Sequence, residues 1–291
     1  MKCIGIFREV LHSPHRERDD YEILRLTGQV LAKEGLEVET FEPEEFLKKW
    51  VTNSHYFSSP ALIFMMCEQQ KILEKIRQLE TAGIQVVNST QSIYNTYRHH
   101  LIPLWKKDKI SQPLTELVST ALLVKDFKAI TYPLWVKRGD VHNTAQGDVV
   151  LVQSADALDI ALQGLSKRGI QQAALQKHIE GDLVKFYGIG ISPQLTWFQW
   201  FYHKGQKLRE IPFSEAELKK NVECAAKSIG VEVFGGDAVI GLDGKIDLID
   251  MNAWPSFALF RAEASQKIAS YLIEKMKECS LFLFSSERAY E

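Results

Sequence analysis

Along the first part of the chain, short apolar runs alternate with segments whose apolar residues fall at helical spacing. Lys2–Phe7 reads as a strand. Tyr21–Glu34 carries Ile23, Leu24, Leu26, Val30 and Leu31 on one helical face and stops at Gly35, the pattern of an amphipathic helix with a glycine terminator. Leu36–Phe41 predicts a strand, a short helix follows Pro43, and Ala61–Met66 predicts another strand. Glu68–Thr81 then predicts a helix built on Ile72, Ile76 and Leu79, and Gln85–Val87 a further strand. This alternation predicts a small parallel sheet covered by helices. No G-x-G-x-x-G follows the first strand, so a dinucleotide site of the usual kind is not indicated.

After Val87 the pattern changes. Asn88-Ser89-Thr90 opens a helix running to about Lys107, and beyond Pro113 a different unit begins. Leu134–Lys137 and Val149–Val152 predict strands joined by a polar loop, followed by a helix over Ala155–Lys167 and a strand over Ala173–His178. Two long strands, Leu183–Ile191 and Leu195–His203, come next. Ser214 with Glu217 forms a capping-box pattern for a helix ending near Gly230. Phe234–Ile240 and Ile246–Met251 predict a hairpin around Asp243-Gly244, a strong turn signal. Phe260–Cys279 predicts the last helix. The chain thus divides into a parallel α/β unit and two α+β units, with a cleft expected between lobes, where small ligands usually bind.

Composition narrows the function. In 291 residues, 35 Lys+Arg nearly balance 37 Asp+Glu, for a net charge of −2, which argues against a generic nucleic-acid binder. The longest apolar run, Ala61–Cys67, is far shorter than the ~20 residues of a membrane span, and the N-terminal apolar stretch ends at Arg8-Glu9, too early for a signal peptide. The four cysteines are scattered without a C-x-x-C pair, so they read as buried thiols in a cytoplasmic protein.

Three segments carry candidate chemistry. In residues 234–257, Asp250 and Asn252 lie two apart on one hairpin strand, which puts them on one face. If Asp237 on the partner strand faces the same way, its carboxylate joins them in an oxygen donor set that suits Mg²⁺. The alternative is a row of ordinary solvated acids. In residues 132–152, Lys137 ends an apolar strand before a glycine-containing loop. It can reach a polyphosphate as a point charge or merely snorkel to solvent. In residues 175–190, the strand Gln176–Ile179 bends at Glu180-Gly181-Asp182 and resumes. Such a hinge can present backbone groups to a base edge, with Asp182 or Glu180 near ribose hydroxyls, or be a plain turn.

Taken in order, the lysine-ended strand and loop, Q-x-x-I-x-G over 176–181, F-G-x-D over 234–237 and D-x-N-x-x-P over 250–255 resemble the ATP-grasp superfamily. Within it, the chain resembles the branch of ribosomal-protein glutamate ligases and ATP-grasp inositol polyphosphate kinases. The resemblance implies an ATP-grasp fold with an N-terminal parallel α/β (pre-ATP-grasp) domain over 1–87, a central lobe over 88–180 and a C-terminal lobe over 181–291. It implies that Asp237, Asp250 and Asn252 hold Mg²⁺. Lys137, His142, Gln176, Lys177, Ile179, Asp182, Lys185 and Ile249 would bind ATP, with Lys137, Arg98 and Lys185 acting in catalysis and His99 in reserve for Arg98. The sequence departs from the family at two points. A second loop histidine of the kinases is replaced near Gly147 or Asp148, and the D-alanine-type ligases' arginine two residues before the first metal acid is replaced by Gly235.

The acceptor side is read from the residues themselves. The loop after the first strand overhangs the C-terminal ends of a parallel sheet, where ligands gather, so Arg8 and His12 are candidates for a substrate. Ser256 and Arg261, at a helix start, suit one carboxylate. The leading expectation is an ATP- and Mg-dependent carboxylate–amine ligase working through an acyl phosphate. Small acid and amine substrates, an amino acid or peptide among them, are implied, with no nucleic acid or membrane and with room for a homodimer. An ATP-grasp kinase acting on a polyol or sugar phosphate, and a nucleotide-binding regulator without turnover, are the competing readings.

Overall fold

The computed structural model describes residues 1–14, 16–121, 131–142, 144–191 and 194–287. His15 and Asn143 of the two loops noted above, and the side chain of Cys279, lie outside the described residues. Three four-stranded sheets organise the chain. The first is parallel, ordered β2 (Glu37–Phe41), β1 (Lys2–Ile6), β3 (Leu62–Met65), β4 (Val86–Val87). Its helices are α1 (Glu17–Lys33), α2 (Pro43–Thr52) and α3 (Gln70–Thr81). Helix α1 starts four residues before its apolar pattern, because Glu17, Asp19 and Asp20 fill its first turn, where acids favour the helix dipole.

The segment predicted as one helix from Asn88 is two, α4 (Thr90–Thr96) and α5 (Arg98–Lys107). Tyr97 between them is extended, at φ −66° and ψ 134°. Its buried hydroxyl donates to the Glu68 carbonyl at 2.5 Å, and the break begins α5 at the buried Arg98. The second sheet is antiparallel, ordered β5 (Thr115–Ser119), β8 (Gln172–Lys177), β6 (Leu134–Arg138), β7 (Val149–Val152), with α6 (Ala155–Lys167) packed on it. Strand β5 has no sequence signal beyond Leu117-Val118; as an edge strand it buries little apolar surface.

The third sheet is antiparallel, ordered β10 (Gln194–Tyr202), β9 (Gly181–Ile191), β11 (Val233–Gly241), β12 (Ile246–Ala253). Helix α7 (Glu215–Ile229) is capped by Ser214, whose hydroxyl accepts the Glu217 N–H at 3.2 Å. Helix α8 (Arg261–Glu287) runs beyond the predicted end at Cys279. Trp254 and Phe257, both fully buried, share one core cluster with Ile268 and Leu272 of α8, and that cluster reaches Phe64 of β3. The turn after β12 is thereby wedged between the first and third sheets. Among the described residues no helix is long and apolar enough to cross a membrane.

Candidate active site

One cavity of about 1300 Å³ is walled by the two antiparallel sheets, Arg98 at the start of α5 and the loop between β1 and α1. One wall is the β11–β12 hairpin. Asp237 stands directly opposite Asp250, and Gly235 opposite Asn252, with a bulge just after Asp237. The two-residue spacing puts Asp250 and Asn252 on one face, and all three side chains line the cavity. The glycines of F-G-G-D answer to packing. A Cβ at Gly235 would lie 2.7 Å from atoms of Pro255 and Tyr187, and one at Gly236 would lie 2.2 Å from the Asp250 carbonyl oxygen. No arginine fits at position 235 without displacing β9 or the turn after β12.

Asp250 is buried, 7% exposed, and receives Arg98 Nη2 at 2.5 Å. Burial pushes its carboxyl up, but the charges of Arg98, His142 and Lys137 reverse this and hold it below the usual range. Arg98 also donates through Nη1 to the carbonyls of Arg138, at 3.0 Å, and Val141, at 3.4 Å. Lys185, facing Asp237 across β9 and β11, donates to Asp237 Oδ1 at 2.6 Å and, unlike Lys137 and Lys177, does not line the cavity where it was expected to meet ATP. Lys137 is buried, and burial outweighs the attraction of Asp250 to bring its ammonium down to about 8. Its Nζ donates to Gln176 Oε1 at 2.7 Å; Gln176 Nε2 donates to the Thr115 hydroxyl at 3.1 Å, which donates to the Pro113 carbonyl at 2.7 Å. His142 sets Nε2 3.1 Å from the Thr96 hydroxyl. Its Nδ1 is buried without a partner, and burial lowers its pKa. Asn252 Oδ1 is likewise buried without a partner.

Two carboxylates in register and an unpartnered amide oxygen on one wall are donors that fit a hard divalent cation completed by water and phosphate oxygens. Among the described residues no group of three or more His, Cys, Asp or Glu is placed to hold a metal.

The other anticipated ligands divide. Lys177, Ile179 and Glu180 line the cavity, with Ile249 and Val239 also in its wall. Gln176 does not; its side chain holds Lys137 rather than facing the cavity. Asp182 does not either. It is fully buried, and its two oxygens accept the N–H groups of Arg209 at 2.8 Å and Ile211 at 2.9 Å. The ribose role expected of Asp182 has no free oxygen to serve it, and the carboxylate that lines the cavity there is Glu180, paired with Arg209. In the loop after β6, Thr144, Ala145 and Gln146 line the cavity. Asp148, fully buried, accepts the N–H groups of Thr144 and Ala145 at 2.8 Å each and pairs with Arg168 at 2.7 Å and Arg138 at 3.2 Å. Asp148 therefore folds the loop.

Near the turn after β12, Arg8, His12, Asp20 and Ser256 line the cavity. Arg261 does not; its Nη2 lies 2.5 Å from Asp19. Arg8 is not free for a substrate, being bound to Glu68 at 2.5 Å and to the carbonyls of Ala253 and Trp254. Glu68 went unnoticed in the sequence, although an acid directly after an apolar strand of a parallel sheet sits at the ligand-gathering edge. Burial would raise its carboxyl, but Arg8 and His12 bring it to about 2. His12, 3.4 Å from Glu68, is raised by that carboxylate despite its burial.

No family model and no curated protein matches this sequence. Solved structures do. D-alanine–D-alanine ligase from Bacillus anthracis superposes with a TM-score of 0.69 at 12% identity, covering 96% of this chain and 99% of that one. A RimK domain ATP-grasp protein from Sphaerobacter thermophilus gives 0.66 at 15% identity, covering 93% and 99%. The VanG D-Ala:D-Ser ligase from Enterococcus faecalis gives 0.63 at 15% identity, covering 94% and 99%. Over nearly its whole length, then, this chain has the ATP-grasp fold, with a parallel α/β sheet ahead of two antiparallel ones.

Proposed function

We propose that the protein is an ATP- and Mg²⁺-dependent carboxylate–amine ligase, organised as lobes over 1–87, 88–180 and 181–291. The observation that carries this reading is the gathering of Asp237, Asp250, Asn252, Arg98 and Lys137 on one cavity that also holds the hinge 177–181. The ligase activities named for the structural neighbours are consistent with it. Lys177 through Gly181, Val239 and Ile249 take the base, and Lys137 neutralises phosphate charge. Lys185, through Asp237, holds that carboxylate in place. Asp237, Asp250 and Asn252 hold the Mg²⁺, which supplies charge neutralisation at the phosphates when bound. Positioning and preorganised charge are the main terms such a site contributes.

In this reading the γ-phosphoryl group passes to a substrate carboxylate oxygen, releasing ADP. An amine then attacks the acyl carbon, expelling phosphate and losing a proton. Ser256, with its buried unpartnered hydroxyl, and His12 are the groups left to bind the acceptor. The substrates are a small acid and a small amine, and the free thiols of Cys3 and Cys67, both buried, and of Cys224, which is exposed rather than buried as expected, suit a reducing, cytoplasmic setting.

The test is a screen of acids and amines for ADP release, with hydroxylamine added. A hydroxamate marks an acyl phosphate and supports the ligase. A stable phosphate ester on an alcohol, with no hydroxamate from any acid, overturns it in favour of a kinase. Tight ATP binding with no turnover overturns it in favour of a regulator.

A further inference from the structure

Two arginines with largely buried side chains brace the β11–β12 hairpin from outside it. Arg98 holds the Asp250 carboxylate. Arg8, at the C-terminal end of β1, reaches the other end of the same wall. Its Nη2 donates to the carbonyls of Ala253 at 3.0 Å and Trp254 at 2.9 Å, the two residues following Asn252. Its Nη1 lies 2.5 Å from Glu68 Oε1, and its Nε lies 3.5 Å from Asp20. Glu68 is itself fixed. Its N–H and that of Gln69 donate to the Glu9 carboxylate at 2.9 Å each, and its carbonyl accepts the Tyr97 hydroxyl.

The turn that Arg8 grips needs holding. Trp254 sits at φ 39° and Phe257 at φ 49°, left-handed backbone that bulky residues adopt only when their surroundings enforce it. Beside this turn, Asn252 Oδ1 is buried with no partner. An unsatisfied buried oxygen carries a free-energy penalty, which a cation would remove.

From this geometry we infer that Arg8 is a positioning residue for the metal: it ties the N-terminal sheet to the turn after β12 and so presents Asn252 Oδ1 to the divalent cation. This rests on the reading of Asp237, Asp250 and Asn252 as a cation site. It also assigns the loop after β1 a task at the metal end of the cavity rather than anion capture. Lysine cannot replace Arg8, because a single ammonium lacks the spread of a guanidinium that spans Glu68 and two carbonyls.

The test uses Mn²⁺ as the probe, with free Mn²⁺ followed by electron paramagnetic resonance during titration of the full chain with a non-hydrolysable ATP analogue. Wild type is compared with Arg8→Lys and Arg8→Met, each checked for a cooperative thermal transition, and analogue affinity is measured separately without metal. The expected result is a Kd for Mn²⁺ weakened tenfold or more in Arg8→Met and at least threefold in Arg8→Lys, with metal-free analogue affinity within twofold of wild type. A merely structural role would lower the melting temperature without weakening Mn²⁺ binding by the folded protein. If Arg8→Met does not fold, Arg8→Lys decides. Wild-type Mn²⁺ affinity in the folded variants overturns the positioning role while leaving the metal site standing. Absence of Mn²⁺ binding by wild type overturns the metal site and this inference with it.

Discussion

Lys137 is a cation buried at the expense of stability, and the structure sets the size of the effect. Burial lowers its ammonium from 10.5 to about 8, against the pull of Asp250. At about 1.4 kcal/mol per pH unit, this corresponds to ~3 kcal/mol by which the protonated lysine disfavours the folded state. The sign follows from proton counts. Between about pH 8 and 10.5 the unfolded chain holds a proton that the folded chain has released, so stability from this group rises with pH across that window. Below pH 8 the full penalty is present.

Lys137→Met removes the penalty but leaves Gln176 Oε1 without its donor, which costs about 1–3 kcal/mol. The variant should therefore be at least as stable as wild type at pH 7, despite loss of a buried hydrogen bond. The cleaner signal is the change with pH. Over pH 8 to 9.5, wild type should gain ~2 kcal/mol relative to Lys137→Met. Urea unfolding of the ligand-free protein at both pH values, followed by far-UV circular dichroism, measures this directly. ATP binding by the variant should fall at least tenfold at pH 7. A stability difference between the two proteins that stays constant from pH 7 to 9.5 would refute the assignment of Lys137 as a desolvated cation.

Asp250→Asn should abolish Mg²⁺-dependent turnover in an ADP-release assay and also lower the melting temperature, because it leaves the buried Arg98 without its counter-charge. Glu68 is a depressed carboxylate, so its stabilisation is complete above pH 4.5 and fades as pH falls toward about 2; acid titration of unfolding should show ~3 kcal/mol lost over that range in wild type and a flatter profile in Glu68→Gln. Asp182→Asn should destabilise by about 1–3 kcal/mol, because a neutral amide has one acceptor oxygen for the two N–H groups of Arg209 and Ile211. Its KM for ATP should change less than twofold, and a large rise in KM with unchanged stability would restore Asp182 to the nucleotide.

The sequence was most informative where chemistry obeys short periodicities. Two residues apart on a strand means one face, and that rule alone brought Asp250 and Asn252 together; the hairpin signal at Asp243-Gly244 then fixed which strand carries Asp237. It failed where a side chain's partner comes from elsewhere in the chain. Asp182 reads as a hinge acid, but its partners lie 27 and 29 residues away in a segment without periodic pattern. Gln176 reads as part of a base edge until β5, a strand of weak apolar signal, brings Thr115 to turn its amide toward Lys137. Arg8 looks like an anion ligand because its loop overhangs the C-terminal ends of the parallel strands; only the fold reveals Glu68 and the Ala253–Trp254 carbonyls closing around it. In each case the misread group is a buried polar side chain, and a buried polar group must find a partner. A candidate ligand whose polar atoms the fold engages therefore becomes a support for its neighbours, while Asn252, Ser256 and His142, each with a buried polar atom still unpaired on the cavity wall, are where a ligand has something left to satisfy.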